Sequence, residues 1–145
     1  MSIDLKTAQS IIEKTIAKGR EHSFKPLTVV VLDNGGHVIA VAREDGASNN
    51  RFEIAYGKAH GSLALGMGSR ALAARAEQQP TFISAVNSIL DGKLIPVPGG
   101  VLIRDAKGDL VGAVGVTGDT SDNDEIAAVA GVESASLLAQ CADAG

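Results

Sequence analysis

The sequence predicts an α/β domain with an antiparallel sheet, and three observations carry that expectation. Two pairs of apolar, β-branched runs are each joined by a short polar turn: Leu27–Leu32 with His37–Arg43, and residues 100–104 with 109–117. Turns that short make antiparallel neighbours, whereas parallel strands need a crossover of about a dozen residues or more. Helical periodicity fills the remaining segments, so the order is helix, hairpin, helices, hairpin, helix. Finally, 145 residues at 45% hydrophobic and 21% charged suffice for one domain, 1–145, with a real core.

Residues 4–22 read as the first helix. Leu5, Ala8, Ile11, Ile12, Thr15, Ile16 and Gly19 form one apolar stripe, and Asp4 is placed to cap it. Leu27–Leu32 suits a strand buried on both faces. Asp33-Asn34-Gly35-Gly36 supplies the turn, because Asn and Gly tolerate positive φ. After His37–Arg43 comes a polar loop, 44–50, and then a helix from about Arg51 with Phe52, Ala55, Ala59, Leu63 and Met67 on one side. Its small residues, Ala55, Gly57, Ala59, Gly61, Ala64 and Gly66, would let another backbone approach. Arg70–Ala76 and Pro80–Leu90 read as two shorter helices. The last helix begins after Thr120-Ser121-Asp122 and is expected to run through Ser136 and Leu137.

The second hairpin carries unusual glycine. Val97-Pro98-Gly99-Gly100-Val101 and Gly112-Ala113-Val114-Gly115-Val116-Thr117-Gly118 put glycine where a strand normally has side chains. Such positions mark bulges, tight packing or a closely approaching ligand. A binding surface built from main chain is the reading they favour.

Composition excludes several functions. A net charge of −4 and pI near 5.3 argue against nucleic acid as the main partner, because neutralising phosphates needs a basic face. No run approaches the ~18 apolar residues of a membrane span, and the N-terminus has no secretory h-region, so a cytoplasmic protein is expected. Cys141 is alone and forms no internal disulfide or zinc spacing. No metal site is expected. Asp119, Asp122, Asp124 and Glu125 lack the glycine and twelfth acidic ligand of a calcium loop, and read as capping of the last helix. Gly66-Met67-Gly68-Ser69-Arg70-Ala71 follows a helix and not a strand, which denies it a dinucleotide role. No serine or cysteine sits in a nucleophile arrangement.

Lys58 stands out because its helix neighbours are small and mostly uncharged. It would point into a ligand pocket and hold an anion, or pair with Asp45; otherwise it is an ordinary solvated lysine. His60 lies about 200° around the helix from it and faces away, toward a subunit contact or the surface. His22 ends the first helix, where the dipole favours a cation, and His37 follows a turn.

Taken in order, several segments resemble the GlcG/HbpS family. They are Val29-Val30-Val31-Leu32-Asp33 with Gly36-His37-Val38; Arg43-Glu44-Asp45-Gly46-Ala47; Lys58-Ala59 with Ala64; Pro98-Gly99-Gly100-Val101; Gly115-Val116-Thr117-Gly118; and Ala127-Ala128-Val129-Ala130-Gly131. The resemblance implies a profilin-like sandwich, a homo-oligomer, and kinship with haem-binding proteins and with the C-terminal domain of PduO-type corrinoid adenosyltransferases. It also implies an accessory place in glycolate-, diol- or glycerol-type catabolism. Many relatives have Met where this chain has Glu44, which would put charge at the pocket edge.

Two functions follow, with a third reading beside them. One is a small-ligand or cofactor-binding protein, with haem or another tetrapyrrole as cofactor. Its ligand-binding residues would be Arg43, Asp45, Lys58, Ser62, Pro98, Gly99, Gly100, Thr117 and Gly118, with His22 as a candidate iron ligand. Arg43 and Lys58 would engage carboxylates, and amides near Gly99, Gly100 and Gly118 would approach the ligand. The other is an enzyme on a small oxygenated metabolite, with Lys58 and Asp45 as its acid/base pair. A third is a non-catalytic oligomeric accessory protein that uses the Gly/Ala-rich helix for subunit packing.

Overall fold

A computed structural model describes residues 2–143. Asp4 caps the first helix as its position predicts, its carboxylate accepting from the Thr7 amide at 2.8 Å, and α1 runs Leu5–Glu21. The first hairpin is β1, Thr28–Asp33, and β2, Val38–Arg43. Then come α2, Arg51–Leu65, α3, Ser69–Gln78, and α4, Pro80–Ile89. The second hairpin is β3, Gly100–Arg104, and β4, Leu110–Thr117, followed by α5, Ser121–Ser134.

The two hairpins join through their inner strands. β1 pairs antiparallel with β4, Thr28 opposite Thr117, and the sheet order is β2-β1-β4-β3-β5. The last strand, β5 at Leu138–Gln140, was not expected. α5 stops at Ser134 and not at Leu137, and Ser136 turns the chain at φ 60° so that 138–140 pairs with β3. Three residues are too few for a hydrophobic period to show.

α1 and α5 pack together on one face of the sheet, over Val29, Val31, Val101, Val114 and Val116. α2 covers the other face, where Val30, Leu32, Leu102 and Ala113 meet Ala55 and Ala59. Strand alternation sorts these side chains, since successive residues point to opposite faces. The result is the profilin-like α/β sandwich that the resemblance implies. α3 and α4 form a small apolar cluster of their own around Leu72, Ile83 and Leu94.

Four of the small residues of α2, Ala55, Gly57, Ala59 and Gly61, are buried inside the chain. Gly57 sits against Ile95, Gly61 against Leu94, and a side chain on Gly115 of β4 would overlap the Ala55 carbonyl oxygen. Gly57 and Gly61 therefore let the α4–β3 connection lie close on α2, and Gly115 lets α2 lie close on β4, while Ala64 and Gly66 are exposed.

Candidate functional site

The strand ends at Thr28, Arg43 and Thr117 lie side by side, because Thr28 is opposite both of the others. The loops leaving this end of the sheet enclose a cavity of about 190 Å³. Lys25 and Pro26 lead into β1, Gly46 to Ser48 belong to the β2–α2 loop, Arg51 opens α2 and Gly118 follows β4.

Arg51 shapes the cavity. Its Nε donates to Ser48 Oγ and its Nη1 to Thr117 Oγ1, both at 2.9 Å. Among the described residues no carboxylate pairs with it, so a half-buried guanidinium keeps a net positive charge toward the opening. Sequence reasoning passed over Arg51, although its place directly after the Asp45-Gly46-Ala47-Ser48 loop was a usable signal.

Asp119 stiffens the wall. Its Oδ1 accepts from the Lys25 amide at 2.7 Å, and its Oδ2 from the Thr120 amide at 2.8 Å and Asn123 Nδ2 at 2.7 Å. These donors, the Lys25 amide first, hold its carboxyl below the ordinary 3.8. A folded value below the unfolded one stabilises the protein above about pH 3.8, and that contribution is lost as pH falls through the folded value. Asp119→Asn is therefore expected to flatten the acid limb of a stability-against-pH curve measured by chemical denaturation. An unchanged limb would show that these bonds are not formed in solution.

Lys58 is placed differently from both sequence readings. It is 1% exposed; its Nζ donates to Val116 O at 2.9 Å and pairs with Asp124 Oδ2 at 3.1 Å. Asp124 is also buried and accepts from the Asp119 amide through Oδ1 at 2.9 Å. Asp45, the expected partner, is exposed in the β2–α2 loop. The pair instead ties α2 on one face of the sheet to α5 on the other, past the buried Gly99. Burial pushes the lysine down and the aspartate up, each partly opposed by the other's charge. Asp124 is thus a cross-layer partner and not a cap. Thr120 caps α5, accepting from the Asn123 amide at 3.2 Å, while Asp122 and Glu125 pair with Arg70.

The other expected site residues divide. Gly118 lines the cavity and Thr117 holds Arg51 beside it. Gly99 and Gly100 are packed under α2, and Ser62 is a buried residue of that helix: the Gly100 amide donates to Ser69 Oγ at 2.6 Å, Ser62 Oγ to Lys58 O at 2.8 Å, and Gly99 O accepts from Val116 N at 2.9 Å. The Gly100 amide is thus used within the chain, which corrects the picture of a ligand-facing amide there, and Gly99 is buried beside Lys58. Pro98 is half-buried outside the cavity wall, and Arg43 is exposed at the end of β2. Glu44 does not charge a pocket edge; it accepts from the Leu27 amide at 2.8 Å and pairs with Arg20 at 3.2 Å. His22 is exposed at the end of α1, stacked on Phe24 at 5.4 Å between ring centroids. Burial pushes the Cys141 thiol up to about 11, so it stays protonated and unreactive near neutral pH.

No helix among the described residues is long and apolar enough to cross a membrane. The family model described as "Haem degrading protein HbpS-like" matches residues 3–133. Among solved structures, HbpS is 27% identical with a TM-score of 0.80, over 92% of this chain and 90% of that one. The Klebsiella pneumoniae protein ORFY is 26% identical with a TM-score of 0.83, over 94% and 92%. A haem complex of PduOC has the same fold, with a TM-score of 0.84 at 19% identity over 95% and 98%. No curated protein matches the sequence.

Proposed function

Since this chain belongs to the HbpS-like family, matched over residues 3–133, we propose that it binds a small carboxylate-bearing ligand, with haem or a related tetrapyrrole as that ligand. The observation that carries this reading is Arg51, a guanidinium without a carboxylate partner among the described residues, set in the wall of a cavity. Lys25 adds a second cation at the rim. Ser48 Oγ accepts from Arg51 and so keeps its O–H free to donate. An arginine fork matches a carboxylate in two directions at once.

The cavity fits part of a haem and not all of it. Its 190 Å³ falls below the ~300–1,000 Å³ of pockets that enclose whole ligands. Its lining has no imidazole, thiol, thioether or phenol to hold iron. Arg51 and Lys25 would hold the carboxylate arms, a role the size of the cavity allows without enclosing the macrocycle. Haem, when bound, supplies a redox-active iron; the residues named here bind and orient it.

An acid/base enzyme has less support, because Lys58 and Asp45 do not meet and Lys58 is sealed from solvent. The setting proposed is a cytoplasmic homo-oligomer that serves glycolate-, diol- or glycerol-type catabolism. Haem titration followed in the Soret band tests the ligand. Wild type is expected to saturate at one site, and Arg51→Ala to raise Kd by about tenfold or more through loss of a charged hydrogen bond. No saturable binding, or an unchanged Kd in a folded Arg51→Ala protein, would overturn the reading.

A further inference from the structure

The cavity at the end of the sheet is lined by two cations on separate segments, Arg51 at the start of α2 and Lys25 ahead of β1. Neither has a carboxylate within ion-pair distance among the described residues. Asp119, which stiffens this wall, already uses both oxygens on the Lys25 and Thr120 amides and on Asn123. On a chain of net charge −4, surplus positive charge in one cavity is a local arrangement and not a property of the whole surface.

Both cations are held in place. Arg51 is fixed through Nε and Nη1 by Ser48 and Thr117, which leaves Nη2 without a partner among the described residues. The backbone of Lys25 is tied on both sides. Its amide donates to Asp119 Oδ1 at 2.7 Å, and its carbonyl accepts from Arg20 Nη2 at 3.1 Å. Gly46, at φ 87°, brings the β2–α2 loop against Pro26, where an added Cβ would stand 3.5 Å from Pro26 Cγ. Pro26 and Ala47 thus set carbon beside the charged groups of the lining.

The charges and the size together narrow the ligand. At about 190 Å³ the cavity takes in whole only a molecule smaller than the drug-sized ligands of ~300–1,000 Å³ pockets. A monoanion would engage one cation and leave the other unmatched. A planar carboxylate pairs with an arginine in two directions at once, and the Ser48 O–H is free to donate to it. A second carboxylate on a short carbon chain would meet Lys25, with the chain lying against Pro26 and Ala47. Phosphate carries the charge but has no carbon to bury there.

We propose that this cavity binds a free, short aliphatic dicarboxylate, one carboxylate on Arg51 and the other on Lys25. The proposal rests on the carboxylate-binding reading of Arg51 above and adds a second class of ligand for that site.

Isothermal titration calorimetry of the full chain with succinate, monomethyl succinate and inorganic phosphate tests it, with circular dichroism to confirm that each variant folds. Wild type is expected to bind succinate at one site, about threefold or more tighter than the half-ester, and tighter than phosphate. Arg51→Ala should weaken succinate by about tenfold or more. Lys25→Met, at an exposed position, should abolish the preference for succinate and leave the half-ester unchanged, a pattern that loss of folding does not produce. In the Soret titration, saturating succinate should raise the apparent Kd for haem several-fold. No succinate binding by wild type, equal affinity for the half-ester, tighter binding of phosphate, or unchanged succinate affinity in folded Arg51→Ala would overturn the proposal; haem binding is read separately in the Soret band. Succinate binding that needs Arg51, beside haem binding that succinate does not disturb, would uphold the proposal and overturn the placement of haem's carboxylate arms.

Discussion

Replacing Lys58 by alanine is expected to cost about 3–5 kcal/mol, read as a lower urea midpoint. The loss follows from what remains. Asp124 would be a carboxylate 1% exposed with no counter-ion, still holding the Asp119 amide. Burial already raises the Asp124 carboxyl above its ordinary 3.8, and removing the lysine takes away the charge that opposes this. Below pH 3.8 the group is protonated in both the folded and unfolded states, and the penalty of Lys58→Ala should be smallest there. As pH rises, the unfolded carboxyl ionises before the folded one, and the penalty should grow. The double variant Lys58→Met with Asp124→Leu should recover most of the loss, because two well-packed apolar side chains replace a desolvated pair. What it does not recover is the acceptor for the Asp119 amide. A single variant as stable as wild type would mean the pair is not formed.

Gly115→Ala is expected to lower stability by roughly 3 kcal/mol, the upper end of overpacking costs. The added methyl would overlap the Ala55 carbonyl oxygen and crowd Ala59 Cβ. Backbone cannot rotate aside as a side chain does, so α2 would have to lift from β4. Ala59→Gly in the same protein should therefore not restore stability, since the main obstacle is main chain. Full restoration by Ala59→Gly would place the clash at the side chain and contradict this packing.

Much of the fold was legible because its causes are local. The apolar stripe of α1 and the Asp4 cap need only neighbours three or four residues away. Asp33-Asn34-Gly35-Gly36 makes its turn whatever the rest of the chain does, and the turn forces β1 and β2 to be antiparallel. The glycines at 99, 100 and 115 were legible as places of close approach, though not for what approaches: α2 and its own Lys58 lie there. β5 escaped notice because three residues carry no period, and its pairing depends on where α5 ends.

The site was less legible. Lys58 was singled out from small neighbours, yet its partner lies 66 residues away in a helix on the other side of the sheet. Asp124 looked like a capping acid because acids in a first helical turn usually are. Arg51 was marked only by its place after the β2–α2 loop, and its role depends on Thr117, which lies 66 residues away.

By itself, then, the sequence determined the element types, the two hairpins and hence an antiparallel α/β sandwich, since periodicity and turn chemistry act over a few residues. Only the tertiary structure decided which groups meet. Joining the hairpins through β1 and β4 put Thr117 beside Arg51 and opened a path past Gly99 for Lys58 to reach Asp124. Those contacts join residues far apart in the chain, and their strength comes from burial and desolvation, which exist only once the layers have closed.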